Sequence, residues 1–180
     1  TGNASIGGAI TNVTNLIVTG TSTIGANVTT SGTQNYTGAI TVSGTGTRTL
    51  TGTTVTNSST LDGGAIALTI TGNASIGGAI TNVTNLSISG TSTIGADITT
   101  SGTQTYTGAV TLSVSPTLTT TSNTITFSST LNAVDATDRD LTFGAGSGNV
   151  IFTGAVGTTY NLGTITDIAG QTLTFSDAVT

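Results

Sequence analysis

The stretch TGNASIGGAITNVTNL at residues 1–16 returns unchanged at residues 71–86, and it decides how the rest of the chain is interpreted. At a constant offset of 70, residues 1–42 match residues 71–112 at 34 of 42 positions. A repeat of this length is typical of architectures in which one supersecondary unit stacks on the next. We therefore predict a single repetitive segment, with repeat units at 1–70 and 71–132 and divergent turns at 133–180, forming part of a longer chain.

The composition favours strands over helices. Thr accounts for 48 of the 180 residues and Gly for 26, while charged residues make up only 5%. Thr, Ile and Val are stiff at χ1 and favour extended backbone, and Gly and Asn mark turns. Glu, Lys and Met, which are strong helix formers, are absent. Disordered chains are usually charged and poor in β-branched residues. The sequence therefore predicts an ordered, all-β protein.

A short motif recurs inside the 70-residue unit. It begins with a large apolar residue, continues with three mostly small or polar residues and ends with Ile or Val, as in Ile6–Ile10, Tyr36–Ile40 and Phe152–Val156. Positions one, three and five of a strand point to the same face. We therefore expect each motif to form one strand, with an inward stripe that continues from Tyr106 to Val114.

Aromatic residues suggest the length of one turn. Tyr106, Phe127, Phe152 and Phe175 recur at intervals of 21, 25 and 23 in the numbering. This spacing predicts an elongated β-solenoid with roughly 18–25 residues per rung and about eight or nine rungs, on the order of 40 Å long at the spacing of adjacent strands. Asn57 occupies an equivalent place in the first unit. The sequence leaves open whether it joins a stacked polar ladder or lies at an outward kink.

The residues from Ser101 to Thr180 resemble repeats of a known family. SGTQTYTGAVTL, TLTTTSNTITFSSTLNA, DRDLTFGAGSGNVIFTGAVG, NLGTITD and TLTFSDAVT are similar to the repeat regions of large secreted bacterial exoproteins and adhesins of the filamentous haemagglutinin or autotransporter type. The resemblance implies a right-handed parallel β-helix at the bacterial cell surface or outside the cell. It implies a role as an adhesin, stalk or fibre, and it brings no catalytic residues with it.

Several functional classes are disfavoured by missing residue types. General acid–base and nucleophilic catalysis depends mostly on His, Cys, Lys and carboxylate pairs, and the chain has no His, Cys, Glu or Lys. We expect no enzymatic activity and no cofactor. The net charge of −5 disfavours nucleic acid, which is bound through basic patches. The longest apolar run, residues 63–70, is shorter than the roughly 18 residues of a membrane span, so none is expected.

The weak candidate sites lie in the divergent part of the chain. Asp135, Asp138 and Asp140 form the one acidic cluster, together with Arg139. Carboxylate oxygens are hard ligands that could bind Ca²⁺, although the motif fits neither an EF-hand loop nor the nonapeptide calcium repeat. A solvated turn is the simpler interpretation of this cluster. The segment GAGSG, Gly144–Gly148, lacks the Lys and the following helix of a phosphate loop and is predicted to be a turn.

The function hypotheses come from three classes, of which the third, a functional amyloid with strands stacked in register between chains, is disfavoured by the imperfect copies and the variable spacing. The first is a structural extracellular β-solenoid that forms a fibre, stalk or filament used in adhesion, with copies of itself as partners end to end or side by side. The alternative is a binding module whose Thr-rich faces bind ice or surface glycans. A glycan site usually requires an exposed aromatic residue, and Tyr160 is the one outside the inward stripes. Candidate N-glycosylation sequons begin at Asn3, Asn12, Asn27, Asn35, Asn57, Asn73, Asn82 and Asn85.

Overall fold

The computed structural model describes residues 2–144, 146, 148–168 and 170–180. Within these residues the chain contains no helix and coils into a parallel β-solenoid of about 9 turns. All strands belong to one sheet, because every turn is hydrogen-bonded to the turn before it. This confirms the predicted β-solenoid and the predicted number of turns.

Within the described residues the sheet contains 21 strands, most of them three residues long. They are β1 (Ala4–Ile6), β2 (Ile10–Val13), β3 (Leu16–Val18), β4 (Ser22–Ile24), β5 (Val28–Thr30), β6 (Gln34–Tyr36), β7 (Ile40–Val42), β8 (Thr47–Asn57), β9 (Leu61–Ile76), β10 (Ile80–Ile88), β11 (Ser92–Ile94), β12 (Ile98–Thr100), β13 (Gln104–Tyr106), β14 (Val110–Leu112), β15 (Thr117–Thr119), β16 (Ile125–Phe127), β17 (Leu131–Ala133), β18 (Leu141–Phe143), β19 (Val150–Phe152), β20 (Ile165–Asp167) and β21 (Leu173–Phe175).

Each turn has three faces, which we number by the strands of the first turn. β1 pairs with β4, β2 with β5 and β3 with β6, each time in parallel. The first, second and third faces are the columns that begin with β1, β2 and β3. The paired residues in these first turns are mostly separated by 18 in the numbering, as Ala4 and Ser22 are.

The length of a turn varies along the coil. The widest separation between paired residues in neighbouring strands is 25 in the numbering, as between Thr117 and Thr142. The narrowest is 17, and it occurs where the ladder is irregular at Val13 and Val83. Apart from these irregular positions, the predicted range of 18–25 is confirmed.

The expectation that the five-residue motif forms one strand is wrong. Ile6 ends β1 and Ile10 begins β2, so the motif turns a corner between two faces. In the same way Tyr106 lies on the second face, Val110 begins a strand of the third, and Val114 is exposed. In the three-residue strands the alternation runs inward, outward, inward and then stops at a corner. Apolar residues four apart therefore lie on different faces rather than along one strand.

The 70-residue sequence repeat does not match the structural period. β8 and β9 are long enough to run around corners, so β8 contributes to two faces and β9 to all three. Counted face by face, one 70-residue unit contains eleven strand segments, which is one fewer than four complete turns of three faces require. As a result, Leu16–Val18 belongs to the third face, whereas the corresponding Leu86–Ile88 belongs to the second. Tyr36 and Tyr106 are displaced in the same way. The second copy of the sequence is thus rotated by one face relative to the first.

The inward positions form a core that runs along the whole coil. Ile, Leu, Val and Phe fill it, and residues such as Ile24, Leu50, Ile98 and Phe143 are completely buried. The outward position of each short strand is mainly Thr or Ser. The chain bends at Ser113–Val114, shortly before Pro116, and β15 begins directly after that proline. In the GAGSG segment Gly146 lies in a turn, while residues 145 and 147 lie outside the described residues.

Glycines occupy corners where one turn lies directly on another. A Cβ added at Gly78 would come within 2.7 Å of the Ser59 Cα in the preceding turn. A Cβ at Gly108 would meet the Gly90 backbone and come within 2.7 Å of the Thr91 nitrogen. Gly8 occupies the same repeat position as Gly78, but it belongs to the first turn, and a Cβ there would meet nothing within 4 Å. Stacking, rather than backbone conformation, requires glycine at these corners.

Substitution of this matched pair separates the stacking effect from the local sequence. We expect Gly78→Ala to lower the free energy of unfolding by about 1–3 kcal/mol, because the added methyl overpacks the corner. Gly8→Ala should change it little or raise it by up to about 1 kcal/mol, through a less flexible unfolded chain. Urea denaturation of both variants at a concentration where the chain is monomeric measures the difference. Equal losses in the two variants would contradict this explanation of the corner glycines.

Candidate functional site

The most regular feature of the interior is a stack of four aromatic rings on the second face. Tyr106 and Phe127 have ring centroids 5.1 Å apart, Phe127 and Phe152 are also 5.1 Å apart, and Phe152 and Phe175 are 4.6 Å apart. The ring planes differ by 11°, 3° and 1°. The prediction from the sequence spacing, that these aromatic residues lie one turn apart, is therefore confirmed. Turns that stack in this register cannot slip without separating the rings.

A buried polar pair begins this stack. The Tyr106 hydroxyl donates to the Gln104 Oε1 at 2.9 Å, and the Gln104 Nε2 donates to the Ile98 carbonyl at 3.2 Å and the Thr119 carbonyl at 2.9 Å. Both side chains are completely buried. The amide thus crosses the core and joins two faces. Sequence reasoning placed Tyr106 but missed the role of Gln104, for which the Q-x-Y spacing in both repeats was the available signal.

The first repeat forms the same pair on the third face. The Tyr36 hydroxyl donates to the Gln34 Oε1 at 2.9 Å, and the Gln34 Nε2 donates to the Thr51 carbonyl at 2.8 Å. Burial raises the pKa of the Tyr36 and Tyr106 phenols well above the ordinary value of 10.0. The ionised phenolate is disfavoured because it would be desolvated in an apolar interior.

Asn57 points inward, which resolves the alternative that the sequence left open. It is 5% exposed and lies between Tyr36 and Ile76 in the column. Its Nδ2 donates to the carbonyls of Ser59 and Gly78, both at 3.0 Å. It therefore forms neither a stacked polar ladder nor an outward kink. It satisfies two corner carbonyls from inside the coil, and its amide nitrogen is not accessible for glycosylation in the folded chain.

Asn and Asp side chains connect the corners of consecutive turns. In each case a side-chain oxygen accepts a hydrogen bond from the backbone N–H of a Thr in the next turn, which satisfies a donor outside the strand ladders. The Asn85 Oδ1 accepts from the Thr103 N–H at 2.8 Å. The other pairs are Asn3 with Thr21, Asn15 with Thr33, Asn27 with Thr49, Asn73 with Thr91, Asp97 with Thr117, Asp140 with Thr164 and Asn149 with Thr172. We call these contacts the corner bridges.

The acidic cluster does not assemble into a metal-binding arrangement. Among the residues that the structure describes, no three His, Cys, Asp or Glu side chains are grouped so that they could hold a metal ion. Asp140 forms a corner bridge, and the Asp135 Oδ1 accepts from the Thr137 N–H at 2.9 Å. That hydrogen bond, with a smaller contribution from Arg139, lowers the pKa of Asp135. Asp138 is exposed and lines a surface depression with Tyr160.

The Thr-rich surface is organised in single rows. On the second face the outward residues of successive turns stack in register, one per turn. That row is Thr49, Thr69, Ser87, Thr105, Thr126, Ile151 and Thr174. On the third face the corresponding row includes Asn35 and Asn132. The rows are therefore narrow, and residues other than Thr interrupt them.

The two ends of the coil have unpaired strand edges. β1, β2 and β3 each pair only with the following turn, and β20 and β21 pair only with the preceding one. Large apolar side chains are exposed near both ends. Ile17 is 63% exposed at the first end, and Phe175, the last ring of the aromatic stack, is 39% exposed at the other. Both ends thus combine free backbone hydrogen-bonding groups with apolar surface.

Comparison with known proteins gives no family assignment. No protein-family model matches the chain, and neither the curated proteins nor the solved structures contain a match. None of the described residues belongs to a helix long and apolar enough to cross a membrane.

Stability at alkaline pH tests the burial of the two phenols. In the unfolded chain both ionise near their ordinary pKa of 10.0, whereas the folded chain keeps them neutral. Stability should therefore be constant with respect to these groups below about pH 10 and fall as the pH rises above it. Urea denaturation across this range measures the slope. The double variant Tyr36→Phe/Tyr106→Phe should show a clearly shallower slope, and an unchanged slope would contradict the assignment.

Proposed function

We propose that this chain is a non-enzymatic structural segment of a bacterial extracellular or cell-surface fibre, stalk or filament that serves in adhesion or cell-to-cell contact. The observation that supports the proposal most is the pair of unpaired parallel edges. Exposed strand edges pair readily with other strands, and proteins that must avoid this protect them with charge, proline or a cap. Among the described residues, the strands of the two terminal turns contain one charged residue, Asp167, and no proline.

Each open edge would be extended either by continuation in a longer chain or by a second copy of the chain added end to end. In that arrangement β1 and β2 of one copy extend the first and second faces of another, next to its β20 and β21. Ile10 then covers the open side of Phe175 and continues the inward column of the second face. The new contacts repeat those already present inside the chain, so no different kind of interaction is needed.

The mechanical properties follow from the same ladders. Each turn is held to the next by parallel backbone hydrogen bonds on three faces. On the second face the inward rings of successive turns also stack, as Phe127 and Phe152 do with ring centroids 5.1 Å apart. A rod of about 9 turns has a length on the order of 40 Å. The low content of charged residues reduces repulsion between rods lying side by side. These features favour a stiff, extended element over a compact binding domain.

Electron cryo-microscopy of the purified chain tests the filament. We expect filaments with strands about 4.8 Å apart along the axis and an axial repeat on the order of 40 Å. Phe175→Lys places a charge at the open edge and should reduce the assembly to single rods. Thr107→Lys adds the same charge at an exposed position in the middle of the rod and should leave filaments intact. Single rods from the unaltered chain at high concentration would overturn the end-to-end proposal.

A binding role for the Thr rows is the second candidate, and the row on the second face favours it. Thr105 and Thr126 stack in register, so their hydroxyl and methyl groups form a regular surface toward ice or a glycan. We expect Thr105→Leu/Thr126→Leu to abolish inhibition of ice recrystallisation if the row binds ice, because both hydroxyls are lost. Thr23→Leu/Thr41→Leu, on the first face, is the matched control and should retain inhibition. No inhibition by the unaltered chain would remove ice as the ligand.

A further inference from the structure

Two surface loops depart from the triangular coil on the same side. Residues 134–140 follow β17, and residues 157–164 lie one turn later, where paired residues are separated by 24 or 25 in the numbering. The loops are joined to each other and to β17. The Thr159 N–H donates to the Asn132 Oδ1 at 2.8 Å, the Ala133 N–H to the Tyr160 carbonyl at 3.2 Å, and the Gly163 N–H to the Arg139 carbonyl at 2.9 Å. Together they form a lobe on the rod.

The first loop, residues 134–140, is held in place by its own contacts. The Arg139 Nε donates to the Ser113 carbonyl at 3.1 Å, and the Arg139 Nη2 lies 3.4 Å from the Asp135 Oδ1. The Thr137 N–H donates to that same carboxylate oxygen at 2.9 Å. These interactions occupy Asp135 and Arg139 and fix the backbone on either side of Asp138. The loop is therefore shaped before any ligand arrives, which lowers the entropic cost of binding.

A depression of about 200 Å³ lies between the loops. Ala136, Asp138, Thr159, Tyr160 and Asn161 line it. Tyr160 is 42% exposed, whereas the other two tyrosines are completely buried. Within the described part of the chain, the Asp138 carboxylate, the Tyr160 hydroxyl and the Asn161 amide have no hydrogen-bond partner. An exposed aromatic ring is thus surrounded by polar groups that remain free to bind.

We propose that this depression binds a single neutral sugar ring. The face of the Tyr160 ring offers an apolar surface to the C–H groups of a pyranose, and its hydroxyl stays available to water or ligand. The Asp138 carboxylate accepts hydrogen bonds from sugar hydroxyls, while Asn161 both donates and accepts. Pockets for drug-sized ligands measure about 300–1,000 Å³, so this smaller site fits one ring at the end of a glycan or at a branch.

The charge distribution favours a neutral sugar over other ligands. Asp138 is unpaired and the chain carries a net charge of −5, so sialic or uronic acids would be repelled. A cationic amine would use the carboxylate and the ring face, but it would leave the Asn161 donors unused. A hydroxyl-rich ligand uses donors and acceptors together. The inference concerns a site on the side of the rod, so it does not depend on the filament.

The experiment is a titration of the purified chain with glucose, galactose, mannose and N-acetylglucosamine. Binding is followed by saturation-transfer NMR and by acrylamide quenching of tyrosine fluorescence. The chain has no Trp and only Tyr160 among its tyrosines is exposed, so quenching reports on this ring. At least one sugar should bind and protect Tyr160 from the quencher. Tyr160→Ala should weaken that binding at least about tenfold, as expected when an aromatic contact at the centre of a site is lost.

Three controls keep the result interpretable. Tyr160→Phe retains the ring and should bind within about threefold of the unaltered chain. Thr107→Ala alters an exposed residue outside the lobe and should bind equally well. Thermal unfolding shows whether each variant is folded. The proposal is overturned if no neutral sugar binds below about 100 mM, if a folded Tyr160→Ala variant binds equally well, or if sialic acid or tetramethylammonium binds more tightly than every neutral sugar.

Discussion

Each turn of the coil pairs in parallel with the preceding turn, and this pairing sets the neighbours of every inward side chain. Once Tyr106 is paired with Phe127, and Phe127 with Phe152, every other inward residue of the second face has a fixed neighbour above and below. Because the partners lie in successive turns, each inward side chain must fit the residue one turn away. On the second face four rings stack on one another, while Tyr36 on the third face lies between Val18 and Asn57. The Gln104 amide is tolerated in this core because both its nitrogen and its oxygen make hydrogen bonds within the core.

Variation in turn length is absorbed at the corners and not in the ladders. Apart from irregular positions such as Val13 and Val83, the strands keep their register whether the chain between them adds a short corner or a long loop, and the corner bridges tie the turns together on either side of it. Asn85 and Asp140 make the same contact across 18 and 24 residues. A rod of constant cross-section can therefore carry loops of different length on its surface. Loops with varied side chains are where a solenoid can acquire specific binding, and we propose that the lobe with Tyr160 is such a place.

The mismatch between the sequence repeat and the turn has a consequence for the surface. Since the second unit is rotated by one face, identical segments such as 10–16 and 80–86 lie on different sides of the rod. No face therefore carries an uninterrupted copy of one surface pattern. This arrangement suits an element that is loaded along its axis better than one that presents a single specialised face. It is consistent with the structural role that we propose.

Composition and spacings along the chain were sufficient to predict an all-β solenoid, its approximate turn length and its aromatic column, whereas the parallel arrangement was implied by the family resemblance. The sequence did not determine where the strands end. Ile6 and Ile10 have the spacing of one strand face, yet they lie on either side of a corner. The three faces, the rotation of the repeat, the inward position of Asn57 and the proximity of Asp138 to Tyr160 became apparent only in the folded chain. Each of these depends on pairing between residues about one turn apart, which local periodicity does not encode.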